Sequence, residues 1–116
     1  MPPIRLPAAA TALLVGISFP QLAAEEMSAR LRYGRYLASE CSGCHRTTEG
    51  GEAAIPSLAG RPAAEIAALL REYREHKKTN PVMVSVAQSL DEDETAAVAA
   101  YFASLPSPAR SDALSR

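Results

Sequence analysis

The chain has only two cysteines, Cys41 and Cys44, which stand three apart and are followed at once by one of its two histidines, His45. This run, Cys41-Ser42-Gly43-Cys44-His45, constrains the chain more than any other feature. A disulfide between two residues so close would close a tiny loop and stabilise little. A thioredoxin-like dithiol needs its cysteines in a strand-to-helix turn, whereas here the motif follows a helical pattern with no strand before it. A structural zinc site would have to bring His45 and the distant His76 onto the ion held by both thiolates, yet His45 adjoins Cys44 and could hardly fold back onto it. A plain buried cysteine pair is the last alternative. Covalent haem attachment fits the spacing. Two thiols three apart, on a turn continuing from a helix, can reach the two vinyl groups on one porphyrin edge, and the next residue supplies an imidazole nitrogen to the iron.

The 116 residues carry 12 basic and 13 acidic side chains, so no strong field points to nucleic acid or an anionic membrane. The length allows one domain and rules out a multidomain enzyme. Residues 1–24 have the form of an export signal. Arg5 precedes an apolar run from Ala8 to Phe19, Pro20 breaks it, and Leu22-Ala23-Ala24 offers a small residue for cleavage. The run has 12 residues, against about 20 for a membrane-spanning helix. Cleavage removes only Arg5 among the charged side chains and leaves a mature chain of 92 residues with net charge −2 and no membrane span. The expected location is the periplasm.

Periodicity predicts an all-α fold with three main helices. The first covers residues 28–40, with Ser28 as N-cap and Leu31, Gly34 and Leu37 on one face. The second opens at Pro62 and runs to about Lys78, with Ile66, Leu69, Leu70 and Tyr73 in an unbroken i, i+3, i+4, i+7 pattern and Lys77-Lys78 matching the negative end of its dipole. The third is opened by Asp91-Glu92-Asp93-Glu94, which has the form of a capping box, carries Val98, Tyr101, Phe102 and Leu105 as one stripe, and stops at Pro106. Residues 46–61 and 79–90 are expected as long loops, the latter with one short turn at 84–88, and 106–116 as a disordered, solvated tail. The ordered domain is thus 25–105. Its core would be thin for its size, so a cofactor is expected to fill the middle.

Around the haem motif the chain resembles the class I cytochromes c of bacterial periplasms. The resemblance rests on Gly34-Arg35-Tyr36-Leu37-Ala38-Ser39-Glu40-Cys41, on Ile55-Pro56-Ser57-Leu58-Ala59-Gly60, on Thr79-Asn80-Pro81-Val82-Met83, and on Leu90-Asp91-Glu92-Asp93-Glu94. It implies a small cytochrome c fold wrapped around one covalent haem c. Candidates for the second axial ligand are Met27, Met83 and His76. Met27 lies about 14 residues of mostly helix before Cys41, roughly 20 Å away. Met83 stands 38 residues beyond His45, after Pro81. The resemblance places the distal methionine at Met83, the alternative being that this side chain fills a core gap. His76, among Arg74, Glu75 and Lys77, reads as a solvated surface imidazole, with His45–His76 ligation as the other possibility. The resemblance further implies that the Pro56 carbonyl receives the second ring N–H of His45 and that Leu58 packs on the haem. Gly34 and Leu37 would meet Val98 and Tyr101 where the first and last helices cross.

His/Met ligation leaves no open iron position, which points to an electron carrier without catalysis of its own. Methionine raises the potential. The stretches around Cys41, Met83 and Tyr101 look most like the small haem subunits of flavocytochrome c sulfide dehydrogenases, in which an FAD flavoprotein oxidises sulfide and the cytochrome takes the electrons. The alternatives are a free-standing diffusible carrier delivering electrons to an oxidase, or a haem enzyme or sensor with an open iron site. An apolar rim would suit a stable partner, and a charged ring of Arg71, Arg74, Lys77 and Lys78 a transient one. An ordinary solvated helix face is the plainer reading of those four residues.

Overall fold

The computed structural model describes residues 1–3, 16, 19–45 and 55–108. Most of the predicted leader, 4–15, 17 and 18, lies outside the described residues, as do 109–116 of the predicted tail and 46–54 of the loop after the haem motif. Four helices and one 3-10 turn follow in order: α1 (Phe19–Leu37), the turn Cys41–Gly43, α2 (Ala63–Arg74), α3 (Pro81–Ser89) and α4 (Glu92–Ser104). No described residue lies in a strand, so the all-α expectation holds.

The helix boundaries differ from the predicted ones for identifiable reasons. α1 starts nine residues earlier than expected, with Pro20 in its first turn, where a missing N–H costs nothing, so Ser28 is interior and not a cap. Phe19 to Ala24, the described end of the predicted leader, are all exposed. The helix stops at Leu37 because the next residues tighten. Ser39 donates its amide (3.3 Å) and its hydroxyl (2.8 Å) to the Tyr36 carbonyl, drawing the chain into the turn that holds Cys41.

α2 ends at Arg74, four residues before the predicted Lys78. His76 takes a left-handed conformation (φ 57°). Its amide donates to Tyr73 O (3.1 Å) and that of Lys77 to Glu72 O (2.9 Å), the paired bonds of a Schellman cap with histidine in the usual glycine position.

α3 is the largest departure, a full helix where a loop with one turn was predicted. Asn80 caps it, its side-chain oxygen accepting from Val82 N (3.0 Å) and Met83 N (3.3 Å), and Pro81 fills the first helical position. Three main helices therefore become four. α4 matches its sequence signature. Asp91 accepts from Glu94 N (2.8 Å) while Glu94 accepts from Asp91 N (3.0 Å), closing the capping box.

Packing follows from these faces. α1 crosses α4 at Gly34, where a Cβ would overlap the Ala97 carbonyl and come within 3.0 Å of Tyr101 Cβ. Tyr33 adds a hydrogen bond from its hydroxyl to Glu94 (3.0 Å). α2 lies against both α3 and α4. The core joins Ala38, Ile66, Ala67, Leu70, Ala87, Val98, Ala99 and Phe102. Gly60 (φ +75°) lets the loop after the haem motif lie against Ser107, just beyond the predicted domain end, and its amide donates to Phe102 O (2.9 Å).

Candidate functional site

The turn after α1 presents both thiols to a cleft of about 360 Å³. Ser42 donates its amide and its hydroxyl to Ala38 O (3.0 Å each), and Cys44 (3.1 Å) and His45 (2.8 Å) donate their amides to Cys41 O. These bonds wind Cys41, Cys44 and His45 onto one wall. Neither cysteine is in a disulfide; Cys41 is half-buried and Cys44 exposed. Burial, and then the Glu40 carboxylate, push the Cys41 thiol up from its ordinary range.

His45 is half-buried, with Nδ1 2.9 Å from the Pro56 carbonyl oxygen. A carbonyl can only accept, so this nitrogen carries the proton and donates it. Nε2 is then left with its lone pair free for a metal.

The other walls come from four segments. Pro56 and Leu58 line the cleft from the loop, Ile66, Leu69, Leu70 and Tyr73 from α2, Val82, Met83 and Val86 from α3, and Val98 from α4. Met83 is half-buried and packs on the core while bordering the cleft. Every residue singled out from the sequence for this site (Cys41, Cys44, His45, Pro56, Leu58 and Met83) therefore borders one cavity. Tyr73 and Val86 also line it, with the charged Glu40, Arg61 and Lys78, and these roles were not anticipated. Val86 follows Val82 by one helical turn, a signal that existed but was read within a loop.

The other candidate ligands lie elsewhere. His76 is exposed at the end of α2 and outside the cleft, and its Nε2 accepts a hydrogen bond from the Gln88 amide (2.9 Å). Met27 is exposed on α1 and does not border the cleft. Among the described residues no group of three or more His, Cys, Asp or Glu could hold a bare metal ion. The four basic residues considered for a docking ring are all in ion pairs: Arg71 and Arg74 with Glu92, Lys77 with Glu75 and Lys78 with Glu72. No described helix is long and apolar enough to cross a membrane.

The donor set suits haem: two free thiols at vinyl-bridging spacing, an imidazole with one nitrogen tied and the other free, and a thioether among apolar walls. A family model described as cytochrome c matches residues 32–106. The chain is 36% identical over 73 residues to the thiosulfate dehydrogenase electron acceptor of Stutzerimonas stutzeri (strain A1501), covering 61% of this chain and 34% of that protein. It is 35% identical over 100 residues to cytochrome c4 of Azotobacter vinelandii, covering 78% and 47%. It is 31% identical over 72 residues to the cytochrome subunit of sulfide dehydrogenase of Chlorobaculum tepidum, covering 62% and 66%. The chain thus spans between about a third and two thirds of the length of these relatives.

Proposed function

The chain belongs to the cytochrome c family as a class I c-type cytochrome, and from that premise we propose that it is a periplasmic one-electron carrier with a single haem c, attached through Cys41 and Cys44 and ligated by His45 and Met83. The observation that carries this reading is the shared cleft, with both thiols and the free Nε2 of His45 on one wall and Met83 on another. Haem held there would supply one-electron redox chemistry. The protein's residues do the rest. The Pro56 carbonyl fixes the tautomer and orientation of His45. The apolar side chains of α2 and α3 exclude water, which favours the less charged ferrous state and, with methionine sulfur, a high potential. With His45 and Met83 both holding the iron, no position would remain on it for oxygen or substrate.

For the electron donor we propose a dehydrogenase of reduced inorganic sulfur, and within that class the flavoprotein partner of a sulfide dehydrogenase. Two of the three relatives carry sulfide or thiosulfate dehydrogenase in their names, which supports the class. A diffusible carrier delivering electrons to an oxidase is the second reading, favoured by the similarity to cytochrome c4.

Absorption spectra of the protein purified gently from its host, oxidised and reduced, test both levels. A c-haem spectrum with flavin in near-stoichiometric amount is expected. Haem without flavin would leave the free-standing carrier. Ready binding of carbon monoxide by the reduced wild-type protein would overturn His/Met ligation.

A further inference from the structure

We propose that Arg74 is a positioning residue: its guanidinium clamps the C-terminal end of α3 to α2 and α4 and thereby holds Met83 at the cleft. The proposal rests on Met83 being the sixth ligand.

Arg74 closes α2, yet its side chain is only 25% exposed. Its donors go to four different acceptors. Nε donates to Ala87 O (3.3 Å), Nη2 to Leu90 O (2.9 Å) and to Thr95 Oγ1 (2.7 Å), and Nη1 to Glu92 Oε1 (2.6 Å). The first two acceptors are carbonyls where α3 ends, a place where backbone oxygens run short of helix partners; Ala87 O otherwise receives only the long bond from the Leu90 amide (3.4 Å). The other two stand in the first turn of α4, and Thr95 is fully buried. Arg71 also donates to Glu92, through Nε (3.2 Å) and Nη2 (3.0 Å), so one carboxylate balances both cations.

Helix α3 needs such a device. It has nine residues, short of the length at which a helix persists alone, and no basic residue in its own last turn to offset its dipole. Val82, Met83 and Val86 border the cleft, so part of its inner face has no protein neighbour to fix it. Beyond the packing of Ala87 and Met83 on the core, it is tied to its neighbours by the hydrogen bonds from Arg74 at its C-terminal end. A lysine could supply the charge but not the planar fork that reaches the end of α3 and the start of α4 at once. Without the fork, α3 swings more often to positions in which Met83 is off the iron.

Competition for the sixth site tests this in full-length, haem-loaded protein. Ferric wild type, Arg74→Lys, Arg74→Met, Met83→Ala and Phe102→Leu are titrated with imidazole, and each is unfolded in guanidinium. Phe102 is fully buried and does not border the cleft, and it serves as a comparator that lowers stability without removing any hydrogen bond to α3. Wild type is expected to bind imidazole weakly, Met83→Ala most tightly, and both Arg74 variants about tenfold more tightly than wild type. Phe102→Leu should lose stability with no comparable gain. Thr95→Val keeps the guanidinium and removes one acceptor, so it should give a smaller gain in a protein that still folds. Arg74 and Thr95 variants that bind imidazole no more tightly than wild type, or no more than Phe102→Leu at equal loss of stability, would overturn the clamp. Wild type binding imidazole as tightly as Met83→Ala would instead sink Met83 as ligand, and the clamp with it.

Discussion

Gly34 sits where α1 crosses α4, and the first obstacle to any larger residue is backbone. A Cβ there would overlap the Ala97 carbonyl, which the capped helix α4 holds in place. Rotation of a side chain cannot relieve that, so Gly34→Ala should fall at the upper end of overpacking costs, about 3 kcal/mol. Guanidinium unfolding at matched haem content measures it, and a loss under half a kcal/mol would mean that the helices can part. The glycine was legible in the sequence, because a mid-helix glycine costs about 1 kcal/mol and is kept where close approach returns more. That Cys41, Cys44 and His45 share one cleft was legible from their spacing. Pro56 was not. It lies eleven positions from His45, and no spacing or periodicity pointed to it; only the resemblance did.

At the scale of elements, α4 was readable because its acids, cap and stripe agree. α3 was not, because Val82, Val84 and Val86 argue against a helix by propensity and the segment is short. The Asn80-Pro81 pair carried the opposite signal, a cap followed by a proline pre-set for the first turn. The end of α2 was misplaced because Lys77 and Lys78 suit a helix C-terminus electrically, while the residue that stops it is a histidine at positive φ, uncommon outside glycine and asparagine. Arg71, Arg74 and Glu92 tie α2 to α4, and that link is open to pH. Hydrogen bonds from Arg71 and then Arg74 hold the Glu92 carboxyl below its ordinary 4.5. A carboxylate with a depressed folded pKa stabilises above its unfolded value, and that contribution drains as pH falls through the folded one. The guanidinium midpoint should therefore decline from about pH 5 downward, and less at high salt because the pair is exposed. Glu92→Gln should start lower at pH 7 and decline less steeply. Glu75, held down by its hydrogen bond with Lys77, keeps some slope in that variant. Parallel acid limbs in the two proteins would remove the link from the account.

Across the whole molecule, the four helices enclose little large apolar matter of their own. Of the ten buried hydrophobic residues described, six are alanine, and Phe102 and Thr95 are the largest fully buried side chains. Ile66, Leu70 and Val98 belong to the core, Met83 packs against it, and all four line the cleft, so the same side chains serve the interior and the cofactor site. A cleft with apolar walls at the centre of so small a core leaves those walls short of packing partners when nothing fills it. Haem filling it would be part of the interior as well as the redox group, and the expectation is that attachment and folding are coupled. The double variant Cys41→Ser, Cys44→Ser should consequently keep much of its far-ultraviolet helical signal, lose its near-ultraviolet signal, and unfold over a broad guanidinium range. Helix survives because the caps of α3 and α4 and the ion pairs between α2 and α4 do not involve the cleft. Fixed packing is lost because Leu70 and Val98 have nothing to close on. A cooperative transition in the double variant, at the midpoint of the haem-loaded protein, would show that protein contacts alone fix the interior. The thin core read from the sequence would then have another explanation than a missing centre.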